Sequence, residues 1–333
     1  MNTFKAFRIH QEGKGVRAVY ETLGLDDLSA GEVVIKVAYS GINYKDALAA
    51  TGQGAILRRF PLVGGIDLSG VVVSSADPAF KPGDRVLVAG ANLSETEDGG
   101  YAEYARVKAD SVVPLPDSLS LSEAMGIGTA GFTAALAIDR MELNGQRPEN
   151  GPVIVTGATG GVGSLAIDML AGLGYEVAAF TGKAQQADYL KRLGASELVL
   201  RQEQDFGHRP LEKALWAGAI DNVGGETLAW LTRTLQPNGN IGAIGLAGGA
   251  VLETTVMPFI LRGVNLLGIN SVFVTPEKRR ALWARIGADL KPRHLDTIIT
   301  DTIAFDALPT AFDAYIKGNV TGHTVVRIGG EID

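Results

Sequence analysis

Residues 151–180 read GPVIVTGATGGVGSLAIDMLAGLGYEVAAF. The run VIV is continuous and apolar, as expected of a parallel strand buried on both faces. A glycine-rich turn follows. After it Val162, Leu165, Ala166, Met169, Leu170 and Leu173 recur at i, i+3, i+4, i+7, i+8 and i+11, one face of an α-helix. A second apolar run, EVAAF, comes next. Strand, glycine turn, helix and strand in this order predict a parallel βαβ unit.

The turn at 157–163, GATGGVG, carries the spacing of a dinucleotide fingerprint, with Ala158 in the first place and Gly160 and Gly163 in the others. Gly160 lets backbone approach a pyrophosphate, and the helix start supplies free N–H groups and a positive dipole end. Thr159, Gly160, Gly161 and Val162 are therefore candidate cofactor residues; the alternative is a tight turn that binds nothing. The end of the second strand reads AAFTGKAQQ. An NAD-binding fold places an acid there, for the ribose hydroxyl. The nearest acid, Glu176, is at the strand's start. Thr181, Gly182 and Lys183 instead present a hydroxyl, a bare N–H and an ammonium, and Arg201 follows the third strand, ELVL. This set suits a phosphate and favours NADPH, although Lys183 or Arg201 alone reads equally as a solvated charge.

Further strands are expected at AGAIDNVG, GNIGAIG and NLLGIN, with helices between them. This is a doubly wound α/β pattern, whose ligands bind beyond the carboxyl ends of the strands. Gly245, Leu246 and Asn270 are candidates by that position, with plain turn roles as the alternative. GTAGFTA at 128–134 begins the helix entering this domain, and Thr129 is a candidate for lining the cofactor cleft.

Before residue 120 the rhythm differs. FKAFRIH, EVVIKVAY, LSGVVVSSA, DRVLVAG and YAEYARVKADSVVPL are short β-like runs divided by turns, a β-rich domain of barrel or sandwich type. After residue 295 the chain reads strand, helix, strand, too short to fold alone and expected to pack back on the first domain. The expected boundaries are 1–122, completed by 295–333, for the β-rich part, and 123–294 for the nucleotide-binding part. The 43 glycines among 333 residues are nearly twice the usual share of about 7%, which fits many turns and close backbone approaches.

A net charge of −7 argues against nucleic acid as a partner. The absence of cysteine removes disulfides, thiolate zinc sites and cysteine nucleophiles together. His10, His208, His294 and His323 lie far apart, so no metal site is expected. The N-terminus lacks the apolar region of a signal peptide and no run of about 18 apolar residues occurs. A soluble cytoplasmic protein without a membrane partner is expected.

Residues 40–48, SGINYKDAL, set Asn43, Tyr44, Lys45 and Asp46 beside an apolar strand. Together with KPGDRV, GTAGFTA, GATGGVG and DNVGG, this stretch resembles the medium-chain dehydrogenase/reductase superfamily. More narrowly, NYKDALAATGQG, GIDLSGVV, RPLEKALWAGAIDNVG and TTVMPFILRGVNLLGINSV resemble the NADPH-dependent acrylyl-CoA reductase family, of quinone oxidoreductase-like type. The resemblance covers nearly the whole chain. It implies a GroES-like catalytic domain, an inserted Rossmann domain, NADPH as cofactor, reduction of acrylyl-CoA to propionyl-CoA, and a homodimer. Zinc-dependent members carry a cysteine after the strand that here ends in YSG, and a GHE motif further on. Here Asn43-Tyr44 and GGIDLSG stand in those places.

Reducing an activated alkene needs no Lewis acid. Hydride adds to the β-carbon of an enoyl thioester, charge moves to the thioester oxygen, and a proton reaches the α-carbon. Hydrogen-bond donors can stabilise that charge. Tyr44 and Asn43 have donor groups, and a phenol stays protonated at neutral pH. The resemblance also sets Tyr44 against NADPH, so its role is either donation or positioning of the nicotinamide. Asp46 reads as the cap of the following helix. Arg58 and Arg59, or Lys278, Arg279 and Arg280, are possible partners for coenzyme A phosphates, though the second cluster reads first as a solvated helix face. The alternative functions are an NADPH:quinone or general enone oxidoreductase and, from another class, a non-catalytic NADPH-binding protein.

Overall fold

A computed structural model describes residues 3–329. The chain divides into two compact units. One takes the residues up to 129, 271–287 and those from 299; the other takes 130–270 and 288–298.

The first unit is β-rich. Phe4–Glu12 pairs with Gly15–Leu23 and with Leu62–Val63 in a three-stranded antiparallel sheet. A seven-stranded sheet runs in the order Ile299–Ala304, His323–Arg327, Val33–Ile42, Asp67–Ser75, Arg85–Ala89, Val113–Pro114, with Tyr104–Val107 also paired to Val33–Ile42. Val33–Ile42 is buried along almost its whole length, because it is central and apolar on both faces. Val33, Ile35, Val37, Leu68, Val72, Val86 and Val88 form one core. A second core joins the chain's two ends. Phe312, from the helix Leu308–Ile316, meets the rings of Phe7 and Tyr101 at 5.9 and 6.1 Å.

The second unit holds a six-stranded parallel sheet. Its order is Glu197–Leu200, Val177–Thr181, Val153–Thr156, Trp216–Asp221, Leu235–Ala243, Asn265–Gly268. The order reverses between Val153–Thr156 and Trp216–Asp221, the place where doubly wound folds hold ligands. Phe180, Trp216, Trp230, Leu231 and Ile241 form a core of this unit.

The helix Leu121–Leu143 is broken at Gly128, whose φ is +48°. By length and composition it could cross a membrane, but its most apolar window is 83% buried within the fold. The segment 271–287 was expected with the nucleotide-binding part and groups instead with the β-rich unit. Its helix Pro276–Ile286 buries Arg279, Leu282, Trp283 and Ile286, spaced i, i+3, i+4 and i+7 as one helix face. Arg279 therefore belongs to the buried stripe and not to a solvated face. Its guanidinium donates to the carbonyls of Ala89 at 2.6 Å and Ser271 at 3.2 Å.

Candidate active site

In the parallel-sheet unit the strand Val153–Thr156 runs straight into the glycine turn. Gly157 has φ +60°, open to glycine at little cost. The helix Gly161–Gly172 starts at Gly160 with no side-chain cap, which leaves its first N–H groups for a ligand. A Cβ on Gly163 would stand 2.3 Å from the carbonyl oxygen of Gly157. Glycine there lets helix and turn close up, as a pyrophosphate cradle requires. Thr159 is buried, while Gly160, Gly161 and Val162 are half-buried at the mouth.

Side chains stitch the switch point together. Thr156 Oγ1 donates to Asp221 Oδ1 at 2.6 Å, and Asn222 Nδ2 donates to the Thr156 carbonyl at 2.8 Å. Burial pushes the Asp221 carboxyl up from its ordinary value. Gly245 fits against this loop so closely that a Cβ would stand 2.3 Å from the Asn222 carbonyl oxygen. Leu246 and Asn270 lie exposed beyond the ends of the next two strands.

The residues expected to read the phosphate lie at the ends of two paired strands. Thr181 pairs with Leu200 across the sheet, so Gly182 and Arg201 each follow directly and leave neighbouring strands side by side. Thr181 Oγ1 accepts from Lys183 N at 3.0 Å. Among the described residues, nothing lies within 4 Å of where a Gly182 Cβ would be. Partial burial lowers the Lys183 ammonium from its ordinary value, and Arg201 is exposed. An open backbone and a lysine at a strand end without an acid, FTGKAQQ, with Arg201 after the neighbouring strand, fit a 2′-phosphate.

In the β-rich unit Asn43 caps the helix Tyr44–Thr51. Asn43 N donates to Asp46 Oδ2 at 2.8 Å, and Ile66 N donates to Asp46 Oδ1 at 2.9 Å. Asp46 thus has the capping role read from the sequence. Its burial raises the carboxyl to about 7, with the nearby Asp67 adding to the rise and the backbone N–H donors opposing it. Lys45 is ion-paired to Glu95. Tyr44 is 52% exposed.

Behind Asn43 stands a residue that the sequence reading did not single out. Asp67 is fully buried and accepts from Asn43 Nδ2 at 2.7 Å, from Thr129 N at 2.9 Å and from Thr129 Oγ1. His323 completes the cluster. A Cβ on Gly41 would stand 2.9 Å from His323 Nε2 and 3.7 Å from Asp67 Oδ2. Burial pushes the His323 imidazole down, and Asp67 opposes that shift. The motif GIDLSG offered one signal for Asp67: a lone acid opening an apolar strand. Nothing local marks His323. Of the basic candidates for coenzyme A, Arg58 is exposed, while Arg59 is tied to the Thr96 carbonyl and to Ser29.

A GroES-like β unit with a Rossmann unit built round a glycine turn defines a nicotinamide-type oxidoreductase fold. Residues 29–117 match the alcohol dehydrogenase GroES-like domain, and residues 161–288 match the zinc-binding dehydrogenase family. Acrylyl-CoA reductase AcuI of Ruegeria pomeroyi is 46% identical over 319 residues, 96% of each chain. The yhdH oxidoreductase of Salmonella enterica, in complex with NADP, superposes with a TM-score of 0.93 at 47% identity, covering 97% of this chain and 99% of that one. The Bacillus subtilis protein yhfP, with NAD bound, gives 0.95 at 47% identity, covering 98% and 100%. The chain belongs to the medium-chain dehydrogenase/reductase superfamily, in its quinone oxidoreductase-like and acrylyl-CoA reductase branch, and is an oxidoreductase.

Proposed function

We propose that the protein is an NADPH-dependent reductase of the carbon–carbon double bond in a short enoyl-CoA, with acrylyl-CoA as substrate and propionyl-CoA as product. The observation that carries this reading is the satisfied carboxylate at the centre of the β-rich unit. Asp67 sits in the motif where zinc-dependent members carry GHE, and hydrogen-bond donors from Asn43 and Thr129 fill both its oxygens. With no cysteine in the chain, the site is built for hydrogen bonding. Relatives named for acrylyl-CoA reduction at 46% identity support the substrate class.

NADPH supplies the hydride when bound. The glycine turn would hold its pyrophosphate, and Thr181, Gly182, Lys183 and Arg201 its 2′-phosphate. The relatives include both an NADP and an NAD complex, so the missing acid and the cation pair support NADPH here. The charge that develops on the thioester oxygen needs a donor. Lys45 is paired with Glu95 and the Asn43 amide faces carboxyl groups, which leaves the exposed Tyr44 hydroxyl in this stretch. Tyr44 is assigned as that donor.

The test is NADPH oxidation measured with enoyl-CoAs, free enoic acids and quinones side by side. Turnover highest on a short enoyl-CoA is expected. Turnover highest on quinones would assign the alternative, an NADPH:quinone oxidoreductase. Tight NADPH binding with no acceptor reduced would leave a binding protein.

A further inference from the structure

Two carboxyl groups are buried side by side within the β-rich unit, Asp46 at 2% and Asp67 at 0% exposure. One side-chain amide serves both: Asn43 Nδ2 lies 2.7 Å from Asp67 Oδ2 and 3.4 Å from Asp46 Oδ2. Two carboxylates this close repel where water is scarce, and one of them keeps a proton. Asp67 is the better supplied. It takes the short Asn43 contact, Thr129 N and Thr129 Oγ1, and its charge reaches the buried Arg279 guanidinium. Asp46 takes the backbone N–H groups of Asn43 and Ile66. Its other neighbour is Tyr101, whose hydroxyl lies 3.0 Å from the Gly41 carbonyl oxygen and also bonds the Asp46 side chain. A carbonyl only accepts, so the single phenolic proton goes to Gly41. The Tyr101 oxygen then has only lone pairs for Asp46. An ionised Asp46 would set acceptor against acceptor. A protonated Asp46 donates, and the chain from Asp46 through Tyr101 to Gly41 is complete.

We propose that Asp46 is a positioning residue that works as a neutral acid: it donates its proton to Tyr101, and loss of that proton is a switch at the root of the helix that carries Tyr44. On ionisation the Tyr101 hydroxyl turns to Asp46 and releases the Gly41 carbonyl, and Asp46 draws the Asn43 amide away from Asp67. Tyr44 is the first residue of the helix that Asn43 and Asp46 cap, so its placement follows the proton. The titratable groups around Asp46 are Asp67, Tyr101 and, from the helix Leu308–Ile316, Tyr315. Burial and the Asp67 charge favour the neutral acid, against the backbone donors. Burial also keeps both tyrosines neutral and pushes His323, beside Asp67, towards its neutral form. None of these three brings a positive charge to Asp46. The switch lies within one unit and needs neither cofactor nor substrate.

The test is NMR of the intact protein, following the side-chain carboxyl carbon of Asp46 from pH 5 to pH 9. A protonated carboxyl that titrates at about 7 is expected. A carboxyl already ionised at pH 5 would overturn the inference. Tyr101→Phe keeps the ring and removes the acceptor of the Asp46 proton. The midpoint should then fall by about 0.5–1 pH unit, the worth of one neutral hydrogen bond. A midpoint that rises would mean that Tyr101 donates to an ionised Asp46, and an unchanged one that the two do not bond; either result sinks the proposal. If Tyr101→Phe fails to fold, the wild type still decides, since the ring carbon bearing the Tyr101 hydroxyl should shift at the Asp46 midpoint as the hydroxyl turns. A Tyr101 signal that stays put would refute the switch. The Tyr44 backbone amide should follow the same midpoint in wild type and stay still in Asp46→Asn, which remains neutral throughout. A Tyr44 amide that moves equally in both would leave Asp46 a plain helix cap.

Discussion

The glycine turn and the Asn43–Asp67 cluster are built in opposite ways. The turn works through backbone. Gly157, Gly160 and Gly163 lie within the single turn 157–163, and their contribution is room: N–H groups exposed, a helix drawn close, no side chain in the way. The cluster works through side chains from residues 43, 46, 67, 129 and 323, brought together by four separate segments. Backbone recognition tolerates any substitution that leaves the space open. Side-chain recognition depends on which atom donates and which accepts, so the loss of one proton changes its meaning.

The largest test of this contrast is at Tyr44. Tyr44→Phe keeps the ring and removes the hydroxyl. With the Asn43 and Thr129 donors turned inward, kcat should fall about 10²–10³-fold, or ~2.7–4 kcal/mol, with the KM for NADPH unchanged. A Phe variant as active as wild type, with only Tyr44→Ala failing, would reduce Tyr44 to a positioning ring. Next is Lys183→Glu, which turns a cation beside the phosphate into an anion. NADPH binding should weaken about 10- to 150-fold, with a much smaller loss for NADH. Equal losses would show that Lys183 does not read the phosphate.

Gly163→Ala probes the backbone site directly. Its Cβ must move from 2.3 Å off the Gly157 oxygen, at a cost of about 1–3 kcal/mol in stability. Gly182→Ala, in open space, should leave the melting temperature nearly unchanged. Comparable losses at both positions would break the contrast between the crowded Gly163 and the open Gly182. The pH dependence is smaller per unit. Burial raises Asp46 to about 7, above its unfolded value of ~3.9, so the native state holds this proton more firmly. The group's contribution is complete at low pH and is lost as the pH rises through 7. The stability of wild type relative to Asp46→Asn should fall between pH 5 and 7, by at most ~1.4 kcal/mol per pH unit, and level off above. A difference that stays flat from pH 5 to 8 would mean that Asp46 is already ionised in the fold. The smallest expected effect is none: chelator treatment should leave activity intact, and activity abolished by EDTA and restored by zinc would refute a site built on hydrogen bonds.

The parallel sheet was legible because its signals are local. The VIV run, the GATGGVG turn and the stripe from Val162 to Leu173 each lie within one window, and the missing acid after Phe180 could be read by position alone. The GroES-like unit was legible as β-rich, and the resemblance supplied its type. The polarity of Asn43 was not legible. An amide can donate or accept, and the choice is made by Asp67 and Asp46, one of which is 24 residues away. His323 is farther still, brought in by the pairing of Thr324 with Ile42. Arg279 was misread for a different reason. KRR looks like a charged face until the spacing to Leu282, Trp283 and Ile286 is counted.

The break at Gly128 also has a meaning for recombination between relatives. The division between the two units falls just after Thr129, inside the helix Leu121–Leu143, and Thr129 is the residue that grips Asp67. A crossover placed earlier in that helix would draw Asp67 from one parent and its partner from another. A transplant of the β-rich unit must also carry 271–287, or Ala89 loses the guanidinium of Arg279. The portable module is therefore three pieces of chain, and its cut points are set by hydrogen bonds more than by where helices begin and end.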